Sequence, residues 1–381
     1  MANKRRNGEG SWGRKTINGI KYYTYRDSKG KTTYGKTQKE VKEKLANKPA
    51  EYAISQKTTF GEYISNWLTF KQGEVEITTY QDYEDLINNM IINFKKYNLA
   101  KKQLNALSPR TFQQYLNALA TKYSRSSIVK IWQLIKQCIK YGELQNELPV
   151  NTTALVKVPL ESNVAVKKKE IPFLTVEQAN QLYEVLNYRD KNNASRYKSS
   201  NNAHAIILIL YTGMRMGELI ALKWKNVNIS QKSIYIKEAA ATIKNEDGKT
   251  VSIDKIPKTK TSIRKIPLPS RALEMLKYFK ENNEATDKDD YVALSNTGNK
   301  LDSANLNRTL HAMCKDANLP RLNVHALRHS YGSMLLSKGV DIKIISELLG
   351  HANISITYDI YIGINEGDKE AAIKSAFDTD E

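Results

Sequence analysis

The stretch that decides how this chain is read runs from His325 to Tyr361. It opens with His325-Ala326-Leu327-Arg328-His329 and continues through Leu348-Leu349-Gly350-His351 to Tyr361, ten residues past the last histidine. Spacings of three and four put His325, Arg328 and His329 along one face of a predicted helix. Ile342, Ile345, Leu348 and Leu349 form the apolar stripe of another helix, which Gly350 ends as a C-cap. His351 therefore stands just past a helix end. Far upstream, Thr212-Gly213-Met214-Arg215-Met216-Gly217-Glu218-Leu219 follows the apolar run Ala205 to Tyr211, which reads as a buried helix. A turn there delivers the Arg215 guanidinium to a cleft, with Glu218 as the partner that orients it. Two arginines, two or three histidines and a tyrosine suit a phosphate whose negative charge rises while a phenol oxygen attacks it. Local reasoning leaves Tyr358 and Tyr361 both open as that phenol. The His-x-x-x-His spacing also invites zinc. It lacks the glutamate of His-Glu-x-x-His, and no thiolate or carboxylate ligand is close, so no metal site is expected.

Composition points to a polyanionic partner. The chain has 381 residues and a net charge of +19, a balance that favours nucleic acid. Residues 1–50 carry 14 Lys/Arg against 4 Asp/Glu, a surplus of 10 and over half the total. The segment 366–381 reverses this, with 6 acidic residues against 2 lysines. Hydrophobic residues make up 40%, enough for real cores, and the length calls for two or three domains of about 100–200 residues each. Cys138 and Cys314 have neither zinc-ligand spacing nor a local partner, so both read as reduced structural thiols in a cytosolic protein. No apolar run approaches the roughly 18 residues of a membrane span, and no secretory signal follows Met1.

The chain is expected to be multidomain, mainly α with an α+β part. Residues 1–57 read as a basic module of three short strands and one helix, plus a linker. Asn18-Gly19 marks a hairpin turn, and Thr37-Gln38-Lys39-Glu40 a capping box opening a helix through Leu45. Lys21, Arg26 and Lys31 are its candidate DNA contacts. Residues 58–155 read as all-helical. The stripes are Phe60, Tyr63, Ile64, Trp67 and Leu68; Tyr83, Leu86, Ile87, Met90 and Ile91; Phe112, Tyr115, Leu116 and Leu119; and Ile128, Ile131, Trp132, Ile135 and Ile139. These are core positions. Ser108-Pro109 caps the third helix, Ser126 or Ser127 opens the fourth, and Lys130 is a candidate phosphate contact. Residues 156–172, with Lys167 and Lys168, read as a linker lying against a DNA backbone. Residues 173–381 read as an α+β domain with an exposed loop at Arg189 to Asn202. Ser233–Lys237, Ala241–Lys244, Val251–Ile253 and Ile263–Ile266 would form one small antiparallel sheet.

The order Arg215, His325, Arg328, His351, Tyr361 closely resembles the tyrosine recombinase family, the integrases of phages and conjugative transposons. The resemblance covers roughly the last half of the chain. Many tyrosine recombinases place the nucleophile nine or ten residues after the histidine that His351 matches, with an aspartate two residues before it. Asp359 and the spacing of ten therefore select Tyr361. The family also places a general-acid lysine in a β-hairpin. Pro257-Lys258-Thr259-Lys260 matches that motif, with Lys258 the choice and Lys260 the alternative; a basic strand edge is the plain reading of either.

The resemblance implies an active site-specific recombinase and a mechanism. Arg215 and Arg328 would flank the scissile phosphate, where guanidinium forks donate bidentate bonds and stay charged. His351 would add a further bond. His325, with His329 in support, would take the proton of Tyr361, and Lys258 would protonate the leaving 5′-hydroxyl. The product would be a 3′-phosphotyrosyl enzyme, made without metal, ATP or any cofactor. The N-terminal module resembles arm-site-binding domains, and the middle helices a SAM-like core-binding domain. Implied partners are duplex DNA at element ends, target core sites and separate arm sites, and an accessory excision factor. The assembly would be a homotetramer in which the tail after Ile364 docks onto a neighbouring subunit. The place of action would be the bacterial cytoplasm at the nucleoid. A type IB topoisomerase-like relaxing enzyme and a non-catalytic DNA-binding regulator are the other readings; the basic module opposes the first, the intact constellation the second.

Overall fold

The computed structural model describes residues 11–17, 20–26, 32–46, 58–167, 172–187, 196–245, 247–256, 260–283 and 287–361. The chain divides into two compact units, Met1–Glu74 with Asp82–Lys168 and Val75–Gln81 with Lys169–Glu381.

The first unit begins with strands β1 (Ser11–Ile17), β2 (Ile20–Arg26) and β3 (Thr32–Gly35), antiparallel in that order. Ile17 pairs in register with Ile20, the two-residue connection that Asn-Gly favours. Trp12 meets Tyr25 edge-on at 5.1 Å, an aromatic cross-strand pair of the kind that holds small sheets. Helix α1 (Gln38–Ala46) starts where Thr37 Oγ1 accepts the Glu40 amide at 3.1 Å. The Glu40 carboxylate reaches back to the Lys36 amide at 2.7 Å, one residue earlier than expected.

Helices α2 (Phe60–Phe70), α3 (Ile77–Ile87), α4 (Pro109–Ala120) and α5 (Arg125–Leu144) follow, the first residues of α3 counting with the second unit. Thr59 and Glu62 cap α2 reciprocally, and Ser108 caps α4 ahead of its proline. The cap of α5 is Ser124, whose Oγ accepts the Ser127 amide at 3.4 Å, rather than Ser126 or Ser127. The apolar stripes of α2, α4 and α5 are buried, with Phe112 between Phe60 at 5.9 Å and Trp132 at 5.5 Å. Ile87, Met90 and Ile91 are buried too, carried onto one face by a π turn at Asn88–Ile92. The stretch after 156 is not a free tether. The Lys157 amide donates to Gln113 Oε1 at 2.9 Å, the Ala165 amide to the Ala120 carbonyl at 2.8 Å, and Val164 is buried.

The second unit is built round α7 (Asn201–Thr212), preceded by α6 (Val176–Glu184) with its Thr175–Gln178 capping box. Almost every α7 side chain is buried, and α9 (Ser270–Asn282), α10 (Ser303–Asp316) and α11 (Val324–Ser337) pack around it. The expected loop at Arg189 to Asn202 is shorter than the polar sequence suggests. Tyr197 is buried and bonded to Asp316 at 2.5 Å, and Asn201 and Asn202 already belong to α7; residues 188–195 lie outside the described part. Between the short α8 (Met216–Ile220) and α9, the strands form two sheets instead of one. β4 (Val227–Asn228), β5 (Ser233–Ile236) and β8 (Arg264–Pro267) make one, and β6 (Ala239–Lys244) and β7 (Thr250–Lys255) the other. The burial pattern gives the reason. β5 and β8 bury alternate side chains, whereas no residue of β6 or β7 is fully buried, so the latter pair stands as a separate hairpin. Helices α12 (Ile342–Leu349) and α13 (Ile354–Tyr361) close the described chain. No described helix is long and apolar enough to cross a membrane. Both cysteines are buried and unbridged.

Gly213 ends α7 in the left-handed region, at φ 64°, and its amide donates to the Ile209 carbonyl at 2.9 Å. A Cβ there would lie 2.3 Å from the Tyr331 ring. Gly213→Ala is therefore expected to lower stability by about 2–4 kcal/mol, from a strained φ and overpacking together. A shift of the urea midpoint without a change in slope checks this.

Candidate active site

Three consecutive carbonyls at the end of α12 each accept a bond from a different arginine. Arg264 Nε donates to Leu348 O at 2.6 Å, Arg328 Nη2 to Leu349 O, and Arg215 Nη2 to Gly350 O at 3.0 Å. A helix C-terminus leaves such carbonyls unsatisfied and carries partial negative charge, so cations are favoured there. Gly350 is left-handed, at φ 65°, and a Cβ would come within 3.0 Å of the Arg264 side chain. The chain can turn among three guanidiniums only with glycine at this point.

Glu218 holds two of the three arginines. Its carboxylate is buried, accepts both terminal nitrogens of Arg264 at 2.9 and 2.8 Å, and accepts Arg215 Nη1 at 2.7 Å. It also takes the Arg215 amide at 2.8 Å, so Arg215 is at once N-cap and ion-pair partner of α8. Burial alone would raise the Glu218 pKa; the bonds and charges of Arg264 and Arg215 outweigh it and leave the carboxyl below its ordinary value. Arg328, only 2% exposed, reaches from α11 to Gly213 O at 2.8 Å as well as to α12. Arg215 is the open member, with 37% of its side chain exposed.

The histidines stand against this charge. His325 and His329 meet ring edge to ring face at 4.7 Å on α11. His351 follows the Gly350 turn, with Nδ1 2.7 Å from Thr357 Oγ1 of α13. Desolvation lowers the His351 pKa to about 4, helped by Arg328, Arg215, His329 and Arg264. Desolvation, with His325 and Arg328, takes His329 to about 4. His325, exposed on its outer side, is lowered by the desolvation of its inner part and by Arg328 and Arg215. All three rings are neutral at pH 7. A cavity of about 190 Å³ is lined by Met214, Arg215, Met216, Asn307, Asn323, Val324, His325 and Arg328. Among the described residues no group of three or more His, Cys, Asp or Glu is arranged to hold a metal ion.

Of the residues singled out in the sequence, Arg215, Glu218, His325, Arg328, His329 and His351 come together here. Tyr361 is described as the last backbone position of α13, and Tyr358 on the same helix is 56% exposed. Lys258 lies outside the described residues, and Lys260 opens a single 3₁₀ turn, Lys260–Ser262. Arg264 was not picked out. Its signal was an arginine at an inward position of an alternating strand, buried with Ile266 while Lys265 and Pro267 are exposed. The basic-module candidates Lys21 and Arg26 are both exposed, and their odd separation puts them on opposite faces of β2. Lys130 is exposed on α5, while Lys167 Nζ is bonded to the carbonyls of Glu161 (3.0 Å) and Ser162 (2.5 Å). Lys31 and Lys168 lie outside the described residues.

Comparison with known proteins assigns the class. Residues 172–367 match the phage integrase family, and residues 59–120 match the N-terminal SAM-like domain of phage integrases. The chain belongs to the phage integrase family and is a tyrosine recombinase. A tyrosine recombinase XerC-like protein of Caldanaerobacter subterraneus subsp. tengcongensis is 29% identical over 395 residues, spanning 95% of this chain and 97% of that protein. The integrase of Staphylococcus phage L54a is 25% identical over 344 residues, 86% of this chain and 95% of that one. Among solved structures, the Tn1549 transposon integrase in complex with transposon right end DNA has a TM-score of 0.67 at 18% identity, covering 84% of this chain and 100% of that chain. That likeness is one of fold.

Two predictions follow from the charges. Glu218→Gln leaves the Arg264 guanidinium, 6% exposed, without its buried counter-charge, and is expected to cost about 3–5 kcal/mol in denaturant unfolding. The histidines give a separate pH window. His329 and His351 have folded pKa values of about 4 against an ordinary 6.5, so the unfolded chain takes up protons first. Their contribution to stability is whole above pH 6.5, falls as pH drops toward about 4, and changes no further below that. His329→Gln should flatten that slope in urea titrations run across this range; an unchanged slope would refute the assignment.

Proposed function

We propose that this recombinase cuts and rejoins duplex DNA through Tyr361, with Arg215 and Arg328 on the scissile phosphate. The observation that carries the reading is the shared cavity of Arg215, Arg328 and His325, next to the three-carbonyl turn that sets His351. Attack on a phosphodiester builds extra charge on the non-bridging oxygens, and fixed guanidiniums stabilise it without reorganising. His351 adds a neutral donor. His325, kept neutral by burial and by both arginines, is the base that takes the phenol proton of Tyr361. Tyr361 stands one turn after Thr357, the α13 residue that touches His351. The leaving 5′-oxygen takes its proton from Lys258. The 3′-phosphotyrosyl ester retains the energy of the broken bond, so a second 5′-hydroxyl reverses the step.

The wider reading is an integrase that inserts and excises a mobile element. Residues 1–57 would bind arm sites, residues 58–155 core sites and residues 173–381 carry the chemistry, with 156–172 between them. A homotetramer would form on paired sites, the tail after Ile364 docking on a neighbour and an accessory factor favouring excision, at the nucleoid in the cytoplasm. The net charge of +19 and the basic first 50 residues support the DNA partner.

A nicked duplex carrying the joined ends of the element tests the chemistry. Wild type and Tyr358→Phe are expected to give a denaturation-resistant protein–DNA adduct in the presence of chelator, and Tyr361→Phe none. Arg215→Ala and Arg328→Ala should slow adduct formation about 10²–10³-fold each. An adduct that persists in Tyr361→Phe would sink the assignment.

A further inference from the structure

Thr357 is fully buried, and its Oγ1 lies 2.7 Å from His351 Nδ1. Either atom is able to donate in that bond, so the surroundings decide its direction. Among the described residues the hydroxyl has no other hydrogen-bond partner. In particular it does not bond the Asn353 carbonyl one turn back, where a helical threonine often donates. If His351 donated, the buried hydroxyl proton would have no acceptor among the described residues, which is the costly arrangement. If Thr357 donates, both groups are satisfied.

The direction matters because His351, lowered to a pKa of about 4 by desolvation and the arginines, is neutral at pH 7 and has one N–H. The nitrogen that carries it decides whether the outward edge of the ring donates or accepts. We infer that Thr357 is a positioning residue whose hydroxyl donates to His351 Nδ1 and so fixes the tautomer with its proton on Nε2, ready to donate to a phosphate oxygen. The same bond ties His351 to α13 one turn before Tyr361, so it sets donor and nucleophile in register. The phosphate half of this inference rests on the proposed role of His351; the tautomer half stands without it.

The test uses the full chain with ¹⁵N-histidine, the His351 signals being assigned by their loss in His351→Gln. Wild type should show a bare Nδ1 and a protonated Nε2. Thr357→Val, which keeps the shape and removes the hydroxyl, should give mixed tautomers and slow single-turnover cleavage about tenfold, the scale of one neutral hydrogen bond. Thr357→Ser should restore both. A proton on Nδ1 in the wild type overturns the inference even if Thr357→Val does not fold; an unchanged tautomer in folded Thr357→Val overturns it too. If His351→Gln cleaves the nicked duplex at the wild-type rate, the phosphate role of His351 fails, while the nitrogen signals still decide what Thr357 does.

Discussion

The carboxylate of Glu218 is the point on which the catalytic unit turns. One buried anion accepts a forked pair of bonds from Arg264 and a third from Arg215, and those arginines then cap the carbonyls of Leu348 and Gly350. Arg328, arriving from α11, takes the carbonyl between them. Four segments far apart in sequence thereby meet at one helix end: the α7–α8 turn, β8, α11 and α12. A buried ion pair is poor evidence of stability by itself, since desolvation offsets much of the attraction. Its use here is geometric. Guanidiniums have fixed forks, and a fork held at one edge by a carboxylate has its other edge aimed.

The arrangement also explains why neutral histidines surround so basic a site. Among the described residues three guanidiniums stand with one carboxylate, which leaves an excess of positive charge, and the imidazoles are partly desolvated beside it. Both effects oppose their protonation. On the proposed reading His325 is the base for a phenol proton and must be unprotonated when it acts; among the described residues the desolvation of its ring and the charges of Arg328 and Arg215 hold its pKa below the ordinary value. The field that disfavours an imidazolium favours an anion, which is the sense required of a phosphate site.

Much of this was legible in the sequence, for identifiable reasons. The apolar stripes of α2, α4, α5 and α12 follow the helical period because each helix has one dry face, and spacing alone exposes that. The Gly350 stop and the Thr175 cap are local chemistry and read locally. Three things did not read. The division of β4 to β8 into two sheets depends on which strands bury their side chains, a tertiary fact. Arg264 looked like one more cation in the basic run from Lys255 to Lys265; its inward place on β8 was a faint mark, and the buried partner 46 residues away that gives it meaning is a tertiary fact. The stretch from 156 looked like a tether because its bonds to α4 are made by backbone groups and one glutamine, which leave no periodic mark.

The difference between Arg215 and Arg328 bears on how such a site meets its substrate. Arg328 is sealed in, bonded to Gly213 O and Leu349 O, and its position is fixed by the packing of α11 on α7. Arg215 is open on one side and held by Glu218 on the other. On the proposed reading, a phosphate approaching through the open side meets Arg215 first and is then drawn onto a guanidinium that cannot retreat. The open edge would supply capture and the sealed edge alignment, and alignment to within a fraction of an ångström is what an in-line attack by a phenol oxygen requires. The buried carboxylate keeps the two roles apart, because it restrains Arg215 without covering it.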